Sequence, residues 1–263
     1  MLRTRLKTAF VALAALLALI AFAPPAAFTV IIALLALWAL FEIGEMVPVG
    51  EWRWLLIALA GVIPALETLV SGHALPAGSL ICLIVFGAMM VLVAQVGIAG
   101  ADSLPSGALL VVLGAVWVGM LFPYFALVRN RAEGIPVTIL MLLLASASDS
   151  GAYFIGRFAG RIKLMPQVSP HKTVEGALGG LAAALIIALI LRSSLVPWLS
   201  LVSVTFFGLG VGVLAQAGDL ANSAFKRVAG VKDSGWIFPG HGGLLDRACS
   251  LVFPAVLTYY CVR

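Results

Sequence analysis

Residues 107–128 read GALLVVLGAVWVGMLFPYFALV, an uncharged stretch that decides the fold of this chain. About 20 apolar residues in an α-helix cross the ~30 Å hydrocarbon core of a bilayer, so this stretch is long enough to span it. Similar stretches recur at residues 9–23, 26–42, 54–72, 78–98, 136–156, 174–192, 196–221 and 243–261. The sequence therefore predicts an all-α, polytopic integral membrane protein with about nine transmembrane helices.

The composition excludes an ordinary soluble domain. Hydrophobic residues make up 63% of the 263 residues, charged residues 10%, and the mean hydropathy is +1.16. The first apolar stretch follows three basic residues, as in a signal peptide, but no convincing small-residue cleavage site follows it, so we expect it to be retained. The three cysteines are scattered through apolar segments, which predicts buried thiols rather than a disulfide framework or a zinc site.

Basic residues concentrate before the first predicted span, between the sixth and seventh, and between the eighth and ninth. Nine spans place these three segments on one side of the membrane, which the positive-inside rule makes cytoplasmic. The bias is moderate, because the other side keeps Arg129, Arg131, Arg192 and Arg263. We therefore expect a protein of a bacterial-type inner membrane whose basic segments face the cytoplasm.

The chain divides into two parts by its content of polar residues. In residues 1–135, Glu42, Glu45, Glu51 and Asp102 fall in short connections and only Glu67 falls well inside a span, which predicts a transmembrane scaffold. In residues 136–263, the spans contain ionisable and small polar residues that a lipid-facing helix would avoid. We expect this second part to be the functional region of one integral-membrane unit.

Asp149 lies inside the sixth predicted span, among serine and small residues. A charged aspartate at mid-bilayer costs about 2.5–3.5 kcal/mol, so it should face the protein interior or a wet cavity. The alternative is a carboxylate that only ties helices together through neighbouring serines. Lys172 and Thr173 follow Pro170 at the start of the seventh span, where free N–H groups of a helix N-terminus favour an anion.

The eighth span ends in a polar face. Asp219, Asn222, Ser223 and Lys226 stand at i, i+3, i+4 and i+7, so a helix places them on one side. Such a face at the end of a membrane helix must look into the protein or into water. The alternative is a set of local contacts that only closes the end of this helix.

A glycine-rich loop then leads to Asp246 at the start of the ninth span. Pro239–Gly240 and Gly242–Gly243 allow backbone amides to approach a ligand closely. Asp246 enters the membrane from the same side as Asp219, and two carboxylates beside basic residues suit Mg²⁺ bound together with substrate phosphates. Zinc is not expected, because His241 has no cysteine or histidine partner at ligand spacing.

The C-terminal region contains Ser223, Phe225, Lys226, Arg227, Lys232, Asp233, Gly235, Phe238, Pro239, His241, Gly242, Gly243, Asp246 and Arg247. This pattern resembles the signature of the CDP-diacylglycerol synthases, also called phosphatidate cytidylyltransferases. Residues 149–157 and 169–176 resemble two upstream blocks of the same family. The resemblance covers about half of the chain in detail and the rest in length and hydropathy.

The resemblance implies a transferase of lipid metabolism, a nucleotidyltransferase of phospholipid biosynthesis. Such an enzyme condenses CTP with phosphatidic acid to CDP-diacylglycerol and pyrophosphate, depends on Mg²⁺ and is a homodimer in contact with membrane lipids. A second cation is an open question, and no nucleic-acid partner is expected. With the orientation given above, the active site faces the cytoplasm.

Roles are assigned to residues through this resemblance and the charges themselves. Asp219 and Asp246 are expected to hold Mg²⁺. The catalytic set is Asp219, Lys226, Asp246, Arg247 and His241, with His241 as an orienting donor rather than a base. The substrate-binding set is Asp149, Ser169, Lys172, Thr173, Ser223, Arg227, Lys232, Asp233, Gly242 and Gly243. For Arg157, Arg161 and Lys163, contact with anionic lipid headgroups is the favoured interpretation.

One departure from the family pattern limits these assignments. After Asp246 and Arg247 the family continues with a bulky apolar residue and another Asp, whereas this chain has Ala248 and Cys249. Either Ser250, Asp233 or water replaces the lost carboxylate, or activity is reduced. A related membrane cytidylyltransferase, a CTP-dependent lipid kinase, a cation-coupled transporter and an inactive scaffold protein are the alternatives.

Overall fold

The computed structural model describes residues 15–47, 50–74, 78–99, 107–237 and 242–262, in which α-helices are joined by turns, loops and one small hairpin. Residues 15–22 are helical and precede the first complete helix. The helices are α1 Pro25–Met46, α2 Arg53–Ser71, α3 Gly78–Ala99, α4 Gly107–Leu121, α5 Tyr124–Arg129, α6 Gly134–Ala159, α7 Val174–Leu195, α8 Leu201–Val228 and α9 Leu245–Cys261. The hairpin pairs β1 Lys163–Met165 with β2 Ser169–Thr173 in antiparallel fashion.

The prediction of an all-α membrane protein is confirmed. Seven helical stretches in the described part of the chain are long and apolar enough to cross a bilayer, with α4 and α5 forming one stretch. The predicted first span lies partly outside the described residues. The predicted ninth span is α9, whose 17 residues give a length of about 25 Å, slightly less than the hydrocarbon core.

One helix boundary and one small hairpin differ from the sequence-based prediction. The eighth span was expected to begin at residue 196, but α8 begins at Leu201, because Pro197 stands in a turn and the side chain of Ser200 accepts a hydrogen bond from the N–H of Ser203 (3.0 Å). The short hairpin was not predicted either. Its two strands lie in a charged connection, where the sequence shows no apolar alternation.

The helix ends separate into two layers. Glu42 near the end of α1 contacts Leu244 at the start of α9, and Lys172 before α7 contacts Asp219 in α8. At the opposite end of the bundle, Arg131 donates to the carbonyl of Tyr259 (2.6 Å) near the end of α9. We call the first layer, where α1, α6 and α8 end and α7 and α9 begin, the site end.

Close helix contacts at glycines position the helices of the site. A Cβ atom on Gly151 of α6 would lie 2.6 Å from the Cβ of Ala183 in α7, and one on Gly218 of α8 would overlap the carbonyl oxygen of Cys249 in α9. In membranes, where lipid is as apolar as the side chains, small residues allow the close packing that holds helices together. The backbones of α8 and α9 therefore touch directly beside Asp219.

The two parts of the chain share one core. The ring of Trp117 in α4 is fully buried, with its centroid 6.4 Å from Phe225 of α8 and 6.3 Å from Phe253 of α9. Aromatic pairs at such distances add to the burial of their large apolar surfaces. The N-terminal helices are thus packed against the helices of the functional region.

Gly218 provides a test of the α8–α9 contact. We expect Gly218→Ala to destabilise the protein by about 1–3 kcal/mol, because the added methyl group meets backbone that cannot move aside without separating the helices. The measurement is thermal unfolding in detergent. Gly87→Ala in α3 is the matched control, because an added Cβ there has no heavy atom within 4 Å. Equal melting temperatures for both variants would contradict the tight contact.

Candidate active site

A cavity of about 710 Å³ opens at the site end between α6, the hairpin, α7, α8 and α9. Its volume is within the range of pockets that bind small molecules. Three carboxylates line it, those of Asp149, Asp219 and Asp246. The basic side chains that line it are Arg157, Lys163, His171, Lys172 and Arg247. A cavity with both signs of charge, at the end of membrane helices, suits a polyanion bound together with a cation.

Asp219 and Lys172 face each other across this cavity. The Nζ of Lys172 lies 2.7 Å from Oδ2 of Asp219, and the aspartate side chain is 42% exposed. Ion pairs with this degree of exposure contribute about 0–1 kcal/mol, so the pair is easily opened. Within the described part of the chain, Oδ1 of Asp219 has no hydrogen-bond donor. Asp219 is therefore available to a cation, and Lys172 to an anion.

Asp246 has a different environment, because donors surround both of its oxygens. Oδ1 accepts from Asn222 Nδ2 (3.2 Å) and from Lys226 Nζ (2.5 Å). Oδ2 accepts from the N–H of Ser234 (2.8 Å), the hydroxyl of Ser234 (3.0 Å) and the N–H of Gly243 (3.1 Å). The side chain is 9% exposed. Asp246 thus connects α8, the loop after α8 and the first turn of α9.

The glycines of this loop make room for the carboxylate. Gly242 has a φ of +80°, a conformation that favours glycine, and a Cβ there would lie 2.5 Å from Oδ2 of Asp246. A Cβ on Gly243 would overlap the hydroxyl of Ser234. Both positions therefore require glycine if the loop is to close over Asp246.

The hairpin and the start of α7 place Lys172 at the cavity. The buried hydroxyl of Thr173 caps α7 by accepting from the N–H of Gly176 (3.1 Å). Glu175 accepts from the N–H groups of Arg161 (3.1 Å) and Ile162 (3.2 Å), which ties the end of α6 to the start of α7. Lys172 is thereby held between the two helices rather than on a free loop.

Comparison with known proteins identifies the family of this chain. Residues 3–263 match the profile of the Cytidylyltransferase family. The chain belongs to this family. A phosphatidate cytidylyltransferase of Bacillus subtilis is 42% identical over 154 residues, which cover 57% of this chain and 56% of that relative. One of Staphylococcus saprophyticus is 42% identical over 145 residues, 54% of either chain. One of Synechocystis is 44% identical over 135 residues, 51% of this chain and 45% of that relative.

The predicted family resemblance is thus confirmed, and the matched part of the chain spans about half the length of these curated relatives. The cavity brings together many of the residues that the sequence assigned to the site. Those that line it are Asp149, Lys172, Thr173, Asp219, Asp246 and Arg247. Lys226 and Gly243 contribute through Asp246.

Other assigned residues lie away from the cavity wall. Among the described residues, those assigned to the site but not lining the cavity also include Ser169, Ser223, Arg227, Lys232 and Asp233. Arg227 donates from Nε to the carbonyl of Val168 (3.3 Å), so it holds the hairpin against α8. His241 lies outside the described residues. The roles of these residues in binding stay predictions.

Sequence reasoning missed several residues of the site in this family member. Glu42 was placed in a connection of the scaffold, but it is buried and contacts the loop over Asp246. Gln216 lines the cavity and donates to Ser148 Oγ (3.2 Å) and to the carbonyl of Ala177 (3.0 Å). Arg157 and Lys163 line the cavity as well. An ionisable residue within an apolar helix was the available signal for Glu42.

The donor set fits Mg²⁺ better than a metal held by protein ligands alone. Within the described ranges, no group of three or more His, Cys, Asp or Glu side chains could hold a metal ion. Mg²⁺ commonly binds through one or two carboxylates together with substrate phosphates and water. The carboxylates of this cavity fit the protein's share of such a site. Cys249, at the position where the resemblance led us to expect an aspartate, lines the same cavity with 2% of its surface exposed. Its thiol is a poor ligand for Mg²⁺.

The two lysine–aspartate pairs should differ in their contribution to stability. We expect Lys226→Met to lower the free energy of unfolding by about 3–5 kcal/mol, because it leaves the buried carboxylate of Asp246 without its cation. Lys172→Met should change it by less than about 1 kcal/mol, because Asp219 is half exposed. Thermal unfolding of both variants in the same detergent compares the pairs. A larger loss for Lys172→Met would contradict the two environments.

Proposed function

We propose that this chain is a phosphatidate cytidylyltransferase, which condenses CTP with phosphatidic acid to CDP-diacylglycerol and pyrophosphate. The observation that supports it best is the cavity at the site end, where carboxylates of α6, α8 and α9 meet basic side chains of α6, the hairpin and α9. Relatives with this name are 42–44% identical to this chain over the matched part, which is about half of each relative. The open cavity is at the ends of membrane helices, where a nucleotide from water and a lipid phosphate from the bilayer can meet.

The proposed reaction needs mainly positioning and charge compensation. A phosphatidate oxygen attacks the α-phosphorus of CTP, a new P–O bond forms, and the bond to the β-phosphate breaks as pyrophosphate leaves with its electron pair. A phosphate monoester has its second pKa near ~6, so it is already a nucleophile at neutral pH and no strong general base is required. Lys172, Arg157, Lys163 and Arg247 compensate the charge of the two substrates, which is the main form of catalysis in phosphoryl-type transfer.

We further propose that Asp219 is a direct Mg²⁺ ligand. The ion, when bound, would neutralise charge on the triphosphate and on the leaving pyrophosphate. Asp246 is the second ligand that the sequence suggests, but donors occupy both of its oxygens, so it would bind the ion only by exchanging one of them. Asp149 is on the same cavity wall and offers another carboxylate.

We propose that the protein lies in a bacterial-type inner membrane and that its site end faces the cytoplasm. The basic residues of the hairpin region and of the end of α8 support this orientation through the positive-inside rule. CTP would then reach the cavity from the cytoplasm. A homodimer is proposed from the family resemblance alone.

The direct test incubates the purified full-length protein in detergent with phosphatidic acid, Mg²⁺ and CTP labelled at the α-phosphate. We expect labelled CDP-diacylglycerol and an equal amount of pyrophosphate. Release of labelled CDP with a phosphorylated lipid would indicate a lipid kinase. No turnover with phosphatidic acid or another lipid phosphate would reject the proposal and favour a protein without this activity.

Asp219→Asn tests the metal assignment. We expect the rate to fall more than tenfold, a barrier increase of over about 1.4 kcal/mol, and the half-saturating concentration of Mg²⁺ to rise. The reason is that an amide oxygen has no charge with which to bind the ion. Glu67→Gln, on α2 and remote from the cavity, is the control for a lost carboxylate. An unchanged Mg²⁺ dependence in Asp219→Asn would remove this residue from the metal site.

Cys249→Asp tests whether the missing family carboxylate can be restored. We expect the variant to stay folded and to reach half of its maximal rate at a lower Mg²⁺ concentration, because a further carboxylate then lines the cavity. Cys249→Ser is the matched control, since it changes the thiol without adding charge. Loss of folded protein in the aspartate variant alone would show that this buried position does not accept a charged side chain.

A further inference from the structure

Glu42 is a buried carboxylate that reaches from the N-terminal helices into the loop of the site. It lies on α1 with 3% of its surface exposed. Oε1 accepts from the N–H of Leu244 (2.7 Å) and from Trp38 Nε1 (3.1 Å). Oε2 accepts from the N–H of Leu245 (3.0 Å) and lies 3.0 Å from the hydroxyl oxygen of Ser234. Each oxygen therefore accepts from at least one backbone N–H, and every donor around Glu42 is a neutral group.

These contacts make Glu42 the cap of α9. The first N–H groups of a helix have no partner within the helix, and the residue at the N-cap of α9, Leu244, has no side chain able to accept from them. The carboxylate of Glu42 fills this role from a helix about 200 positions earlier in the sequence. The positive end of the helix dipole favours a negative charge at this place. The charge of Glu42 is thus compensated by the start of α9.

Glu42 is also connected to Asp246 through one hydroxyl group. The Oγ of Ser234 lies 3.0 Å from Oε2 of Glu42 and 3.0 Å from Oδ2 of Asp246. A hydroxyl has one hydrogen, so Ser234 can donate to only one of them at a time. A Cβ on Gly235 or on Gly243 would lie 2.6 Å from an oxygen of Glu42. The loop is therefore shaped to close over both carboxylates.

We propose that Glu42 is a positioning residue for the reaction of the cavity. By fixing the first turn of α9 and the loop around Ser234, it sets the place of Asp246 and of the adjacent Arg247, which both line the cavity. Glu42 itself does not line the cavity, so it acts through these residues. The inference rests on the proposed function for its kinetic part, and the N-terminal half of the chain then contributes to catalysis as well as to packing.

The kinetic test compares Glu42→Gln with Glu42→Asp in the full-length protein. An amide retains one acceptor but turns a donor toward the N–H of Leu244 or of Leu245, so we expect kcat per folded molecule to fall at least tenfold. The KM for CTP should stay within about twofold, because Lys172 and the hairpin are not disturbed. Glu42→Asp keeps both acceptor oxygens on a shorter side chain and should recover part of the lost kcat.

Glu45→Gln is the matched control. Glu45 is on the same helix, and its side chain is 55% exposed. Its carboxylate lies 3.7 Å from the guanidinium of Arg53, so its partner is Arg53 and not the loop. Its loss should leave both kinetic constants unchanged. A normal kcat per folded molecule in Glu42→Gln would overturn the proposal and leave Glu42 with a purely structural role.

Hydrogen exchange separates this proposal from the proposed function, because it needs no turnover. In Glu42→Gln, the amides of Leu244 and Leu245 should exchange at least tenfold faster than in the wild type, measured on peptides covering residues 242–248. The amides of α7 should not change. If the wild type lacks the proposed activity, faster exchange at these two amides still supports the positioning of α9, and unchanged exchange overturns it.

Ser234→Ala covers the case in which Glu42→Gln does not fold. It removes the hydroxyl between the two carboxylates and leaves the caps on Leu244 and Leu245 in place. We expect a threefold to tenfold fall in kcat with little change in the exchange of those two amides. A kcat equal to that of the wild type would show that the loop does not transmit the position of Glu42, and would overturn the proposal.

Discussion

The site end depends on how a nearly buried carboxylate is compensated at Asp246. Moving such a charge out of water costs several kcal/mol, which only a close cation and well-placed donors can offset. Here Lys226 and Asn222 come from α8, whereas Ser234 and Gly243 come from the loop. The hydrogen bonds of this one carboxylate therefore form only when α8, α9 and the loop have the correct positions relative to one another. The same contacts fix the part of the cavity wall that α8 and α9 form.

The helices of the functional region meet through small residues, whereas the contact with the N-terminal helices uses large ones. Gly151 and Gly218 allow backbones to touch, which places the carboxylates of α6, α8 and α9 around one space. Trp117 of α4 instead packs its indole ring against Phe225 of α8 and Phe253 of α9. Close backbone contact brings helices near enough for their charged side chains to share one cavity. Contacts between large aromatic rings instead fill the core between helices.

Much of this architecture was predictable from sequence because hydropathy and charge are local properties. Uncharged stretches such as residues 107–128 predict membrane helices directly, and the spacing of Asp219, Asn222 and Lys226 predicts a shared face. The ion pair of Lys172 with Asp219 was not predictable, because it depends on a hairpin whose strands show no apolar alternation. Glu42 was missed because its partners, Leu244 and Leu245, are separated from it by most of the chain.

The two ends of α9 are both completed by residues from elsewhere in the chain. Glu42 of α1 accepts from its first N–H groups, and Arg131 donates to the carbonyls of Tyr259 and Val262 at its other end. A ribosome makes α1 first and α9 last among these helices. It follows that Glu42 is synthesised long before the helix that it caps, and that the part of the cavity wall formed by Asp246, Arg247, Cys249 and Ser250 is absent until translation has passed Ser250. The protein therefore remains without a complete cavity at every earlier stage of its insertion.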